Sequence, residues 1–297
     1  MRNPSPRRSA KTQAVPHQSF SKANVASGPR IVRLGVTDLS FHRATAAVVA
    51  IVMQRMGLTV ERQYALHEVN FRRLREGSID MLASAWLPFS HGIYKQAVDA
   101  VAPTRELGLH YQPYAFWGVP DYVNESEVAS IEDLFNPEVR SRMHPVIQGI
   151  GLGAGITRFS MTIMEKYGLR NAGYQFRTGT EDECIEAFEA LYRERRWGIV
   201  PLWHPHFLHH RYRIRNLKDP KGLLGSIDRA VLLAREDRLA LLTSAEIQVL
   251  DNIRLSNLTV SELDDAFNRG DQSADNAAND WLARHPEILS AWLKPLD

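Results

Sequence analysis

The chain has 297 residues, 44% of them hydrophobic and 24% charged, which is a globular composition and not that of a disordered or collagenous chain. Its length favours two lobes over a single core, and its net charge of +2 does not favour nucleic-acid binding. No apolar run approaches the roughly 18 residues of a membrane span, and the single cysteine, Cys184, excludes an intramolecular disulfide framework.

Residues 1–30 are rich in Pro, Ser, Arg and Asn and have no apolar period, so they predict a disordered arm. A secretory signal needs a basic start followed by about 7 to 15 apolar residues. The basic start is present in Arg2, Arg7 and Arg8, but no apolar stretch follows it. No export signal is therefore expected from this start, and a cytoplasmic location stays open.

From Ile31 onward, apolar strands and amphipathic helices alternate at short intervals. The predicted elements are strand 31–36, helix 42–56, strand 58–65, helix 67–77 and strand 79–86. This alternation predicts a mostly parallel sheet covered on both faces.

The middle of the chain repeats this alternation, and the end is helical. The predicted elements are strand 144–150, helix 155–168, strand 172–178, a helix opening at Thr180, strand 197–203, and helices 243–253, 259–270 and 275–293. Glu183 stands three residues after Thr180, which is the spacing of a capping box. Two α/β lobes with a helical tail indicate a hinged protein, and its ligand is expected in the crevice beyond the carboxyl ends of the strands.

Two tryptophans end predicted strands at this crevice. Trp86 is followed by Pro88 and Trp203 by Pro205, and proline stops a strand, so both indoles are expected at the sheet edge. Paired aromatic walls suit a cation or a flat ligand, although either indole alone is as readily explained by core packing. For Tyr111, the sequence favours core packing and ligand contact equally.

A glycine-rich turn at 149–157 opens the predicted helix 155–168. Unpaired backbone N–H groups at the positive end of a helix suit a small carboxylate. The turn matches neither the GxxxxGK[ST] pattern nor a full GxGxxG pattern followed by an acidic residue about 20 positions later, which argues against a nucleotide. The residues expected to face the anion are Gly153, Ala154, Gly155 and Ile156.

Histidines crowd the segment 204–210, and His206 and His210 are spaced to share a helical face. A metal-dependent enzyme is one hypothesis for this cluster, but no Cys, Asp or Glu completes a ligand set locally, and Arg211 would repel a cation. A histidine that donates to a ligand carboxylate is the more economical interpretation. With no GxSxG or HExxH pattern, the sequence predicts no catalytic site, no metal and no cofactor.

Four segments, in order, resemble the substrate-binding proteins of ABC importers for glycine betaine, choline and related quaternary amines. They are EGSIDMLASAWLPFSHGIY (76–94), GAGITRFSMTIMEKYGL (153–169), IVPLWHPHFLHHRYRIRNLKDPKGLLG (199–225) and WLARHPEILSAWL (281–293). The resemblance implies a two-lobed, type II periplasmic-binding-protein-like clam-shell of α/β class with a hinge and a helical C-terminal tail. Its first lobe is expected at 31–112 plus 212–297 and its second at 113–211.

The resemblance also implies a function. It implies that a quaternary amine is held in an aromatic cage between the lobes and is passed to an ABC permease in the membrane. It also implies that the binding protein works outside the cytoplasmic membrane. Trp86 and Trp203 match the family's motif tryptophans, and Tyr111 falls where some members use a tyrosine. His206 matches a motif histidine and, with the turn 153–156, is the candidate partner of the ligand carboxylate.

The chain departs from the family pattern in the loop after its first strand. Leu39 stands where a tryptophan is expected, while Phe41 and His42 occupy positions that are usually acidic. Phe41 is therefore the candidate replacement ring, and a zwitterion is expected in preference to choline. A cytoplasmic ligand sensor on the same fold is the alternative function.

Overall fold

The computed structural model describes residues 28–270 and 272–297. Most of the predicted arm, residues 1–27, lies outside the described residues. Residues 28–30, the end of that predicted arm, are described, and Arg30 contacts the rest of the chain. The Arg30 guanidinium donates to both Glu246 carboxylate oxygens at 2.7 and 2.8 Å. The backbone carbonyl of Arg30 accepts from the Thr59 amide at 2.9 Å.

The strands, in chain order, are β1 (Ile31–Thr37), β2 (Thr59–Ala65), β3 (Met81–Leu87), β4 (Thr104–Tyr111), β5 (Tyr114–Pro120), β6 (Val146–Gln148), β7 (Gln175–Arg177), β8 (Val200–His204), β9 (Ile214–Asn216) and β10 (Arg229–Arg235). The α-helices are α1 (Ser40–Arg55), α2 (His67–Glu76), α3 (Gly92–Asp99), α4 (Pro137–Arg142), α5 (Gly155–Lys166), α6 (Glu181–Arg193), α7 (Leu208–Arg211), α8 (Ser244–Asn252), α9 (Asn257–Asn268), α10 (Ala274–Arg284) and α11 (Pro286–Leu293). Within the described residues, no helix is both long enough and apolar enough to cross a membrane.

The first sheet has the order β2-β1-β3-β10-β4. Strand β1 pairs in parallel with β2 and β3, as predicted, but β10 runs antiparallel to both β3 and β4. The chain returns to this sheet beside the carboxyl end of β3, where Arg229 pairs with Leu87, so β10 must run back along it. The sheet is therefore mixed.

The second sheet has the antiparallel order β8-β5-β9, and β6 pairs in parallel with β7 nearby. The predicted second lobe ended at residue 211, yet β9 at 214–216 is hydrogen-bonded to β5. Sheet membership thus moves the return crossing to the stretch between Asn216 and Arg229.

The helices that cover the first sheet lie close to where the sequence pattern predicts them. Helix α1 is buried along almost its whole length, because it lies against β1 and β3 on one side and against α9 and α10 on the other. The predicted helix 275–293 is two helices, α10 and α11. Pro286 cannot continue a helix, since it lacks an N–H, but it fits the first position of a new one.

The capping box predicted for α6 is confirmed. The Thr180 hydroxyl accepts from the Glu183 amide at 3.1 Å, and the Glu183 carboxylate accepts from the Thr180 amide at 2.7 Å. Two amides that the helix itself leaves unpaired are therefore satisfied.

We expect Thr180→Ala to lower the free energy of unfolding by about 1 kcal/mol, because one of these amides loses its acceptor. Urea denaturation followed by circular dichroism measures this difference. Thr162→Ala is the control: the Thr162 hydroxyl bonds only to the Arg158 carbonyl of its own helix, so its loss should change stability little. Equal effects of the two substitutions would contradict the capping role.

Candidate functional site

Three aromatic side chains from both lobes meet where β3 and β8 end. Trp86 lies at the end of β3, Phe41 in the first turn of α1, and Trp203 near the end of β8. The Phe41 ring centroid is 5.3 Å from that of Trp86 and 5.7 Å from that of Trp203. The three residues are 1 to 6% exposed. Proline does end both strands, as the sequence predicts, since Pro88 and Pro205 directly follow them.

The three rings line a small cavity between the two sheets. Its lining residues are Leu39, Phe41, His42, His67, Trp86, Ser90, His91, Ala115, Ile150, Ala154, Gly155, Ile156 and Trp203. The cavity volume is about 20 Å³, which is room for about one water molecule. A trimethylammonium group enters only if the rings separate, so the lobes are closed on each other in this conformation.

The start of α5 forms the second-lobe side of this cavity. Ala154 occupies the N-cap and provides no side-chain hydrogen bond, so the first amides of the helix have no cap. A Cβ on Gly155 would lie 2.8 Å from the Ser90 Cβ, so glycine is needed for this close approach. An uncapped, positively polarised helix end next to aromatic rings can hold an anion.

Three predicted site residues do not line the cavity. The Tyr111 hydroxyl accepts a hydrogen bond from the Trp86 indole at 3.0 Å and so lies behind that ring. The Gly153 carbonyl faces the first lobe and accepts from the Tyr94 hydroxyl at 3.0 Å. His206 lies edge-on to Trp203, with ring centroids 5.1 Å apart. The structure therefore brings together Phe41, Trp86, Trp203 and 154–156, and leaves the other three in supporting positions.

Two carboxyl groups, those of Glu181 and Asp264, lie near His206 where the lobes meet. The Glu181 carboxylate, at the start of α6, accepts from the Ser40 amide at the start of α1 at 3.0 Å. Burial raises the pKa of Glu181 to about 7 and that of Asp264 to about 7, while burial lowers the pKa of His206 to about 4. His206 is therefore neutral near pH 7 and contributes no positive charge to the cavity.

Sequence analysis missed a second group of histidines, which lies in the cavity itself. His42, His67 and His91 all line it, and all come from the first lobe. Burial lowers the pKa of each below its ordinary value, to about 3 for His67. His42 and His91 stand shortly after the predicted strands 31–36 and 79–86, where the crevice was expected, and this position was the available signal.

The histidines of 204–210 do not converge on a metal. His204 and His209 stack with ring centroids 3.5 Å apart, and the His209 Nε2 atom lies 3.0 Å from the Trp203 carbonyl oxygen. Across residues 28–270 and 272–297, no three His, Cys, Asp or Glu side chains are grouped as a metal site.

Buried histidines make stability sensitive to acid. Burial lowers the pKa of seven of them, namely His42, His67, His91, His110, His204, His206 and His209. Their contribution is complete above the ordinary histidine pKa of about 6.5 and is lost as the pH falls toward the lowered values. The raised pKa values of Glu181 and Asp264 act in the opposite direction, since their contribution is lost as the pH rises through 7.

We expect the free energy of unfolding to fall between pH 6.5 and pH 4, because the histidines outnumber the two carboxyl groups. His110→Phe should make this fall shallower by about 1.4 kcal/mol per pH unit, since it removes one fully buried imidazole outside the cavity. Urea titrations of both proteins across this range measure the slopes. Parallel profiles for the two proteins would contradict the assignment.

Comparison with known proteins agrees with this architecture. Residues 30–284 match the family described as the substrate binding domain of the ABC-type glycine betaine transport system. A glycine betaine/carnitine transport binding protein of Listeria monocytogenes serotype 1/2a (strain 10403S) is 24% identical over 155 residues, which are 52% of this chain and 51% of that protein. The match thus spans about half the length of this curated relative.

Two crystal structures share the fold. Lactococcal OpuAC, closed and complexed with glycine betaine, superposes with a TM-score of 0.78 at 22% identity, covering 89% of this chain and 99% of that one. A glycine betaine/L-proline-binding protein (ProX) from Borrelia burgdorferi gives 0.78 at 23% identity, covering 90% and 100%. The two-lobed clam-shell is thereby confirmed, and the family consists of binding proteins of transport systems. Since the match extends over most of its length, the chain belongs to the family of substrate binding domains of ABC-type glycine betaine transport systems.

Proposed function

We propose that the chain is the solute-binding component of an ABC importer and that it captures glycine betaine or a related zwitterionic quaternary amine between its lobes. One observation carries this proposal: Phe41 contacts Trp86 of its own lobe and Trp203 of the other, directly beside the uncapped start of α5. Aromatic faces and a helix N-terminus are complementary to the two ends of a betaine.

The cationic end of such a ligand suits the three rings. A trimethylammonium group cannot donate an ordinary hydrogen bond, whereas the face of an aromatic ring attracts it electrostatically. A desolvated contact of this kind is worth up to about 2 kcal/mol. The proposed cage is Phe41, Trp86 and Trp203, with Leu39 completing the wall.

The carboxylate end suits the start of α5. The backbone amides of Gly155 and Ile156 belong to the first turn, where a helix leaves its N–H groups unpaired, and both residues line the cavity. We assign the carboxylate to these amides. Tyr111, Gly153 and His206 act indirectly, through Trp86, Tyr94 and Trp203 respectively.

The partner of this protein is an ABC permease in the membrane, and the place of action is outside the cytoplasmic membrane. The closed arrangement of the lobes supports a permease partner, because closure would give a permease a surface that differs from that of the open protein. The family match supports the location.

Isothermal titration with glycine betaine, carnitine, proline betaine and choline tests the proposal directly. We expect heat with at least one of the zwitterions and a higher melting temperature in its presence, because a ligand that binds only the folded state stabilises it. No heat and no thermal shift with any of them at millimolar concentration would overturn the proposal.

We expect Trp86→Ala and Trp203→Ala each to weaken binding of the preferred zwitterion by about 1 to 3 kcal/mol, because each removes one face of the cage. Trp197→Ala is the matched control. Trp197 is similarly buried but stacks on Arg142 away from the cavity, so its loss should lower stability and leave affinity unchanged. Wild-type affinity in either cage variant would place that indole in the core only.

Tyr111→Phe tests the support behind the cage. The phenyl ring is kept, but the acceptor for the Trp86 indole N–H is lost, so the indole is held less firmly. We expect affinity to fall by about 1 kcal/mol, the usual worth of one buried hydrogen bond. Titration calorimetry measures the loss, and an unchanged dissociation constant would show that packing alone fixes Trp86.

A further inference from the structure

We infer that Glu181 is a positioning residue for the aromatic cage: its carboxyl group caps the start of α1 from the opposite lobe and takes up a proton when the lobes close on a ligand. Closure, and with it the affinity for the ligand, is thereby linked to pH. This inference rests on the proposed function and deepens it, since it concerns how the same site closes.

The start of α1 has no cap within its own lobe. Leu39 occupies the N-cap position and provides no side-chain hydrogen bond, and the first turn of the helix contains no acidic residue. The Ser40 amide instead donates to the Glu181 Oε2 atom at 3.0 Å. A carboxylate is a favourable partner for the positive end of a helix. The second lobe therefore supplies the cap that the first lobe lacks.

This cap lies next to the aromatic cage. Ser40 is followed directly by Phe41, whose ring contacts both Trp86 and Trp203. Glu181 does not line the cavity between these rings. Because the cap holds the backbone at the start of α1, it fixes the position from which the Phe41 side chain enters the cavity. Glu181 thus acts on the ligand through Phe41.

The other oxygen of the Glu181 carboxyl group faces His206. The Oε1 atom lies 3.5 Å from the His206 Nε2 atom, which is longer than an ordinary hydrogen bond, and neither atom has another partner among the described residues. The His206 Nδ1 atom accepts from the Leu208 amide at 3.2 Å, so the hydrogen-bond pattern assigns the ring proton to Nε2. The side chain of Glu181 is 12% exposed. Its carboxylate is therefore buried with one well-formed hydrogen bond, which leaves its negative charge poorly compensated.

The surroundings of Glu181 disfavour its negative charge. The charged and titratable groups that face it are Asp38 and Arg43 at the start of α1, Asp182 and Cys184 in α6, His206 after β8 and Asp264 in α9. Arg43 is already engaged, because its guanidinium donates to the Asp38 carboxylate at 2.7 Å. Burial raises the pKa of Glu181 to about 7; the Ser40 amide opposes this increase and the negative charge of Asp182 adds to it.

Lobe separation would change the state of this carboxyl group. Glu181 and Ser40 belong to different lobes, so opening breaks their hydrogen bond and exposes the carboxyl group to water, where a glutamate has its ordinary pKa of about 4.3. A group whose pKa is higher in the closed protein than in the open one binds a proton on closure. Closure therefore gains from protonation below pH 7, and this gain is lost as the pH rises through 7.

The cavity histidines titrate in the opposite direction. Their lowered pKa values make closure release protons below about pH 6.5. The contribution of Glu181 is therefore measured as a ratio between two proteins that share these histidines.

Glu181→Gln provides this comparison, because it keeps an oxygen that can accept from the Ser40 amide and carries no charge at any pH. We expect the variant to bind glycine betaine within about threefold of wild type at pH 6. The ratio of the wild-type dissociation constant to that of the variant should rise about tenfold from pH 6 to pH 8, because only the wild type must then bury a charge. Titration calorimetry at the two pH values measures the ratio, and a ratio that is independent of pH would overturn the inference.

Two further variants separate the cap from other effects of α6. Glu181→Ala removes the acceptor of the Ser40 amide and should bind glycine betaine about fivefold more weakly than Glu181→Gln at both pH values. Equal affinities of these two variants would contradict the capping role. Glu186→Gln is the matched control, because it removes the same charge from an exposed position of the same helix and should bind as the wild type does at both pH values. A tenfold change of the ratio in this control would assign the pH dependence to the charge of the helix and not to Glu181.

Ser40→Pro tests the contact from the α1 side and leaves Glu181 in place. Proline lacks the amide that Glu181 binds, yet it fits the first position of a helix after an extended residue, and Leu39 is extended. We expect binding of glycine betaine to weaken at least about fivefold. Unchanged affinity would overturn the inference even if Glu181→Gln fails to fold.

The proposed function and this inference fail in different ways. If glycine betaine gives no heat, the zwitterion of the panel that does is titrated in its place. A wild-type protein that binds none of them overturns the proposed function and the inference together. A wild type that binds, with a ratio to Glu181→Gln that does not change with pH, overturns the inference alone.

Discussion

The contact of the Phe41 ring with an indole from each lobe is the interaction on which this site depends. Neither lobe alone presents more than part of the cage, because Phe41 and Trp86 belong to the first sheet and its helices, while Trp203 belongs to the second. The same closure lets Glu181 of α6 accept from the Ser40 amide, one residue before Phe41. Cage assembly and lobe closure are therefore one event. A ligand that contacts rings of both lobes would stabilise the closed arrangement.

Closure also sets the electrostatics of the cleft. Lowered pKa values keep the buried cavity histidines neutral near pH 7, and the raised pKa of Glu181, about 7, leaves this carboxyl group only partly ionised there. Burying an unpaired charge among them would be costly, whereas a zwitterion adds two opposite charges that each find a complementary surface. A ligand with both charges thus needs both the aromatic rings, for its cation, and the helix start, for its anion.

The strands and helices of this chain are more predictable from its sequence than the contacts between them. The strand ends at Trp86 and Trp203 and the capping box of α6 were predictable, because proline and capping residues act locally. The place of His67 in the cavity wall was not, since periodicity shows only that it begins an amphipathic helix and not that this end of α2 reaches the cleft. His206 lies outside the cavity lining for the related reason that its loop packs against α9, more than fifty residues later, where the His206 amide donates to Ser261. Contacts between distant elements leave no local signature.

The loop after β1 is the segment of the cavity wall that departs from the family resemblance. Leu39 stands where the family resemblance expects an indole, and the neighbouring Phe41 supplies the ring that meets both tryptophans. A phenyl ring attracts a cation less strongly than an indole does, so the cage is weaker on this side. His42, in the next position of the same helix, brings a polar side chain into the cavity wall instead of the negative charge usual there. One short segment thus carries a phenyl ring and an imidazole where the resemblance expects an indole and acidic residues, and under the proposed function this change would shift discrimination among quaternary amines toward their carboxylate end.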